Sequence, residues 1–416
     1  MSEAKPYNIP KRLVWEAYQR VKANRGAAGV DGVSLAAFEL DLKGNLYKLW
    51  NRMSSGSYHP PPVRLVEIPK GTGGTRPLGI PTISDRVGQT VAKMVLEPLV
   101  EPHFHPDSYG YRPGRSALDA VGVARKRCWE TDWVIDLDIR SFFDSIPHDL
   151  VERAVAHHTD LAWIHLYVRR WLRAPVERPD GTLMERMKGT PQGGVISPLL
   201  ANLFLHYAFD LWMHRTYPSI RFERYADDTI VHCRSEEEAR SVLEAIRGRF
   251  TECGLELHSE KTKIVYCKDD DRPGEHEHIK FDFLGYTFQP RRAKNRWGRF
   301  FISFLPAISS KAAKAIRQTI RNWRMASTRN KQLEDLARFS NPVVRGWMNY
   351  YGRFYRSKCV QVLRHFNEAL AQWARRKYKR FVRRERASSH WLGCIARRDP
   401  NLFVLWQLGV RPEAGV

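Results

Sequence analysis

Trp133–Ile139 reads WVIDLDI and Phe222–Cys233 reads FERYADDTIVHC, and these two stretches decide how the chain folds. The first has the composition of a strand. Period-two alternation places Val134, Asp136 and Asp138 on one face and Trp133, Ile135, Leu137 and Ile139 on the other. The second reads as two short strands joined at Ala226-Asp227-Asp228. A carboxylate inside an apolar strand is costly to bury unless it is paired, and a divalent cation pairs it. Adjacent acids repel each other without one. Strands brought together here would gather three or four carboxylates, able to hold two metal ions ~3.5–4 Å apart for phosphoryl transfer. Taken alone, each motif is weak, because acid pairs on strands also occur as plain ion pairs.

Working outward, residues 1–50 read as helices separated by the glycine turn GAAGVDG, Gly26–Gly32. Residues 56–81 carry a hairpin signal, with VRLVEIPK, the loop GTGGT, then RPLGIP. From Ser84 the residues Val87, Val91, Met94 and Val95 recur at helical spacing, and Pro98 is expected to end that helix. Ser235–Leu255 is a helix with its acids early, at Glu236, Glu237 and Glu238. Lys268–His278 reads as a loop, and mostly helical sequence follows from about Ala307. Strands and helices mix without a regular βαβ period, so the fold class is α+β.

The chain has 416 residues, 43% hydrophobic and 12% aromatic, which supports a large folded core. No stretch is the ~18-residue apolar run of a membrane helix, and the N-terminus has no secretory pattern. Six cysteines (Cys128, Cys233, Cys253, Cys267, Cys359, Cys394) form no CxxC pair. Reduced, buried thiols in a cytoplasmic protein without membrane partners are expected. The net charge is +23. Residues 289–416 hold 29 basic and 6 acidic side chains, so the entire excess lies in the last third. A surplus of that size marks a polyanion-binding surface.

YADD (Tyr225–Asp228) resembles the catalytic hairpin of reverse transcriptases, and DIRSFFDSI (Asp138–Ile146) the first catalytic strand of group II intron reverse transcriptases. In order come IPK (Ile68–Lys70), RPLGIP (Arg76–Pro81), SYGYRPGRSA (Ser108–Ala117), GTPQGGVISPLLANL (Gly189–Leu203), GLELHSEKTKI (Gly254–Ile264) and FLGYTF (Phe283–Phe288). NPVVRGWMNYYGRF (Asn341–Phe354) and WARRKYKR (Trp373–Arg380) look like the maturase, or X, domain of that family. Together these motifs cover nearly the whole chain.

The resemblance implies a right-hand polymerase. An N-terminal helical extension (1–55) precedes fingers and palm (56–288) with an antiparallel palm sheet. An all-helical thumb/maturase domain (289–385) and a short tail (386–416) follow. It implies Asp138, Asp227 and Asp228, with the backbone of Ile139, as ligands of two Mg²⁺ ions. Asp136 is left outside the metal, and Asp144 caps or pairs locally. Lys70 and Arg76 match positions that clamp the incoming dNTP, where a point charge and a planar fork suit a triphosphate. Phe143 matches the aromatic that excludes a ribose 2′-hydroxyl, although it also reads as an ordinary core phenylalanine. Gln192 matches a residue packed against the nucleotide, followed by two glycines that permit close backbone approach. Lys261 falls where a lysine protonates departing pyrophosphate.

Partners implied are RNA template and primer, dNTPs, group II intron RNA and target DNA. Backbone-phosphate contact suits the basic last third, through Arg345, Arg353, Arg356, Arg375, Arg376, Lys377 and Arg380. Trp347, Tyr351 and Tyr355 share a helical face and are expected in the core. No paired-cysteine HNH endonuclease module is seen before Val416, so second-strand nicking is not expected, and any DNA-binding domain is reduced. The implied function is RNA-directed DNA synthesis with help to intron splicing and retrotransposition. The rivals are a domesticated enzyme with a host role such as phage defence, and an RNA-binding splicing cofactor without polymerase activity.

Overall fold

The computed structural model describes residues 5–69, 75–328 and 330–412. Contacts divide the chain into two units, one of residues 1–120 and 135–264, the other of residues 121–134 and 265–416.

The first unit opens with α1 (Lys11–Ala23), α2 (Leu35–Leu40) and α3 (Leu42–Ser55), separated at the glycine turn as expected. The hairpin follows as β1 (Val63–Pro69) and β2 (Thr75–Ile80), antiparallel, with Ile68 opposite Arg76. Lys70 and the loop 71–74 lie outside the described residues. Next comes α4 (Ile83–Val100), capped by Thr82, whose hydroxyl accepts from Asp85 N at 3.2 Å. Pro98 does not end α4 but sits inside its last turn. The ring faces solvent there and removes one hydrogen bond, too little to stop a helix anchored by buried Leu96 and Val100.

α5 (Ala117–Glu130) leads into β3 (Trp133–Leu137), shorter than expected, with Ile139 continuing only as an isolated bridge to Leu257. α6 (Phe142–Ser145), α7 (His148–Ala156) and α8 (Ala162–Arg173) come next. The short β4 (Val176–Glu177) and β5 (Leu183–Met184) extend the hairpin to a sheet ordered β2-β1-β4-β5. α9 (Ser197–Leu205) is mostly apolar and buried throughout, apart from half-buried Pro198, with Asn202 a buried polar residue within it. A π-turn, His206–Asp210, joins it to α10 (Leu211–Thr216).

β6 (Arg221–Tyr225) and β7 (Asp228–Cys233) form the second hairpin, in register Tyr225↔Asp228. α11 (Glu236–Glu252) is capped by Ser235 and begins with the three glutamates read from sequence. β8 (Lys263–Tyr266) completes a sheet ordered β6-β7-β3-β8, which puts the Asp227-Asp228 hairpin directly beside β3, with Asp138 following its last residue.

In the second unit β9 (Phe281–Phe283), β10 (Tyr286–Lys294) and β11 (Phe300–Ile308) form a three-stranded sheet. The helices α12 (Ser310–Asn322), α13 (Leu333–Tyr351), α14 (Arg356–Lys377), α15 (Glu385–Arg398) and α16 (Val404–Gln407) follow. Their core is built on Ile316, Leu336, Leu363, Phe366, Leu370, Trp373 and Trp406. Each fully buried Leu or Phe there contributes roughly 2–3 kcal/mol. Trp347 stacks on Trp323 at 5.5 Å, but Tyr355 lies beyond the end of α13 and off its face. Its hydroxyl donates instead to Arg292 O at 2.7 Å. All six cysteines are free, and five are buried. Cys394 is exposed, contrary to expectation, because it falls on the solvent side of α15.

Candidate active site

Asp138 sits one residue past β3, and its backbone is held on both sides. Its N–H donates to Thr262 Oγ1 at 3.3 Å, and its carbonyl accepts from His258 N at 2.8 Å. The carboxylate is partly exposed, and Lys261 Nζ lies 3.4 Å from Oδ1 and 3.5 Å from Oδ2. Asp227 occupies the turn between β6 and β7. Burial pushes its acidity toward the protonated form, the neighbouring Asp138 pushes the same way, and Arg76 and Arg224 oppose. Strands β7 and β3 are neighbours in the sheet, which sets the Asp227 turn beside Asp138.

Asp228 begins β7 and is exposed. Among the described residues no three His, Cys, Asp or Glu side chains converge as a metal cage. In place of the expected cluster of three or four carboxylates, Asp227 and Asp138 sit on neighbouring parts of the sheet, with Asp228 adjacent in sequence. The physical reason is repulsion, which a bound cation would offset and which the Lys261 ammonium offsets at Asp138. Oxygen donors in surplus negative charge still fit a hard divalent ion such as Mg²⁺.

The other expected residues fall nearby in the same unit. Arg76 Nε donates to Gln192 Oε1 at 2.6 Å, so two side chains assigned separately to nucleotide binding are one hydrogen-bonded pair. Gly79 N donates to Gln192 O at 2.7 Å. Gly193, at φ +116°, could not carry a side chain, since its Cβ would stand 2.5 Å from Gly79 O. The close approach read from the two glycines thus serves, at Gly193, the chain's own β2. Phe143 is buried, edge-on to Phe142 at 5.2 Å, and its carbonyl accepts from Thr190 N. Tyr111 escaped the sequence reading. It adopts φ +57° and is half exposed, with its hydroxyl made less acidic by burial and then by Asp227. A non-glycine residue in the left-handed region is a tertiary feature that composition does not announce.

In the second unit Arg345, Arg353 and Arg376 are exposed with no acidic partner among the described residues. Arg356 reaches Leu408 O at 3.3 Å. Arg375 is half-buried and 3.5 Å from Glu385, and Lys377 donates to Gln332 Oε1 at 3.0 Å. Arg380 covers the Phe381 ring at 4.7 Å. These four are engaged within the fold, and the first three are not.

A four-stranded sheet that presents paired aspartates at an antiparallel β-hairpin, with a second hairpin bearing Arg76 in the same unit, is the arrangement of a right-hand nucleic-acid polymerase. Residues 68–288 match the family described as reverse transcriptase (RNA-dependent DNA polymerase), and residues 313–391 match the group II intron, maturase-specific domain. The chain belongs to the reverse transcriptase family and is an RNA-directed DNA polymerase with a maturase domain, a class that generally uses divalent metal ions. It is 32% identical over 327 residues to protein YkfC of Escherichia coli, covering 67% of this chain and 81% of that one. Group II intron-encoded protein LtrA of Lactococcus lactis is 32% identical over 202 residues, 48% of this chain and 33% of LtrA. A 91 kDa protein in the cob intron of Schizosaccharomyces pombe is 36% identical over 49% of this chain and 25% of its own. The chain thus spans a third or less of the last two relatives. No helix among the described residues is long and apolar enough to cross a membrane.

Proposed function

We propose that this chain copies RNA into DNA by two-metal nucleotidyl transfer and binds group II intron RNA to assist splicing and retrotransposition. The observation that carries the reading is the sheet order β6-β7-β3, which sets the turn bearing Asp227 beside the end of β3, where Asp138 follows. Asp138, Asp227 and Asp228, with the backbone of Ile139, would hold the two Mg²⁺ ions. Bound there, the ions would activate the primer 3′-hydroxyl and offset charge on the leaving pyrophosphate. Arg76, with Lys70, clamps the dNTP triphosphate, and Gln192 orients the Arg76 fork. Phe143 bars a ribose 2′-hydroxyl, and Lys261 delivers a proton to pyrophosphate. Residues 56–288 constitute fingers and palm on an N-terminal extension, 1–55. Residues 289–385 are the thumb and maturase domain, ahead of the tail 386–416, and contact duplex phosphates and structured intron RNA. Target DNA is met on the same basic surface.

The test is primer extension on an RNA template with dNTPs and Mg²⁺. The parent chain should extend the primer. Asp227→Ala and Asp138→Ala should abolish synthesis and leave RNA affinity near the parent's. Near-normal extension by Asp227→Ala would remove the assignment.

A further inference from the structure

Arg224 precedes Asp227 by three residues and is fully buried, as is its partner Asp210. We propose that Arg224, Asp210 and Asn202 form a clamp that fixes the peptide leading into Asp227, and so positions that carboxylate for polymerisation. They are positioning residues, and the proposal rests on the polymerase reading above.

A guanidinium has five N–H donors, and here every one is used. Nε donates to Asp210 Oδ1 at 2.6 Å, and Nη2 to Asp210 Oδ2 at 2.5 Å. Nη2 also donates to Ser108 Oγ at 2.8 Å. Nη1 donates to Asn202 Oδ1 at 3.0 Å and to the carbonyl of Ala226 at 3.1 Å. That carbonyl belongs to the peptide that enters Asp227. Asn202 in turn donates from Nδ2 to Gly110 O at 2.5 Å. One side chain therefore ties α9, the π-turn after it and the Ser108–Gly110 segment to the catalytic turn.

The turn needs holding. Ala226 lies at φ +58°, a conformation rare for a residue with a Cβ, which persists only where its surroundings enforce it. On its other side Gly110 presses so close that a Cβ there would stand 2.4 Å from Ala226 N. Ser108 bridges to Arg224, and Tyr109 N donates to Arg224 O at 2.8 Å. Stability alone does not call for this arrangement, because a buried ion pair replaced by well-packed apolar residues is commonly neutral or stabilising. An apolar pair, however, has nothing with which to grip the Ala226 carbonyl. Lysine would keep the charge but lacks the fork that reaches four partners at once.

Three full-length variants decide it: Arg224→Met combined with Asp210→Leu, Arg224→Lys, and Asn202→Ala. Each is read by melting temperature, kcat and KM for dNTP per folded molecule, and the Mg²⁺ concentration that half-saturates primer extension. The apolar double variant should keep a melting temperature near the parent's and lose about 100-fold in kcat, the scale on which small misplacements act. KM for dNTP should move little, and the half-saturating Mg²⁺ should rise. Arg224→Lys should fail to rescue kcat, and Asn202→Ala should shift kcat and Mg²⁺ in the same direction by less. Where the double variant does not fold, the other two carry the decision. Folded variants with the parent's kcat and Mg²⁺ response overturn the clamp, whatever their melting temperatures. A parent chain that extends no primer overturns the polymerase reading instead.

Discussion

Lys261 Nζ stands 3.4 Å from Asp138 Oδ1, so the side chain proposed to protonate pyrophosphate is also the counter-ion of a proposed metal ligand. The two roles separate kinetically. A general acid contributes roughly 100-fold or more and shapes the alkaline limb of the rate profile. Lys261→Met should lower kcat by about that factor even at saturating Mg²⁺. A variant that keeps the parent's pH–rate profile and shifts only the Mg²⁺ requirement would leave Lys261 as counter-ion.

Phe143 is 7% exposed and edge-on to Phe142, a setting that suits both a sugar gate and a core residue. Truncation to Ala should cost about 3 kcal/mol of stability by opening a cavity. If the ring also bars the 2′-hydroxyl, active Phe143→Ala should incorporate ribonucleotides far more readily than the parent. Unchanged discrimination with lowered stability would make it core alone.

The basic last third should govern RNA affinity through Arg345, Arg353 and Arg376, three exposed arginines with no acidic partner among the described residues. Reversing all three to Glu should weaken binding across unrelated RNAs and flatten the slope of log K against log salt by about 2–3. Loss confined to one RNA would mark a specific recognition site, and an unchanged slope a solvated helix face.

His206 gives the fold a pH dependence. Burial drives its pKa down to about 4, against an ordinary 6.5, while Asp210 at 4.0 Å only partly restores it. The folded state therefore holds a neutral ring that the unfolded chain would protonate. Its contribution is complete above pH 6.5 and is lost as pH falls toward 4, up to about 3 kcal/mol. Burial shifts Asp85 in the opposite sense, up to about 6, so the parent's curve is a sum of opposed slopes. The difference between parent and His206→Phe isolates the histidine. A difference that does not vary between pH 7 and 4.5 would exclude the effect.

Sequence by itself determined the elements and their chemistry, because those are local. Alternation in WVIDLDI and the turn in FERYADDTIVHC placed β3, β6 and β7, and the motifs shared with the family singled out Asp138, Asp227, Arg76 and Gln192. The uneven charge needed only counting. Tertiary structure alone decided what those residues meet. Gln192 joins Arg76 across 116 residues of chain, and Lys377 donates to Gln332. Arg224 looks like any strand cation in FERYADD, yet it is wholly buried with every donor used. Hydrophobic periodicity reports whether a position faces the core. It carries no information on which distant carboxylate, amide or carbonyl waits there, because that pairing is set only when α9, the π-turn and β6 pack together.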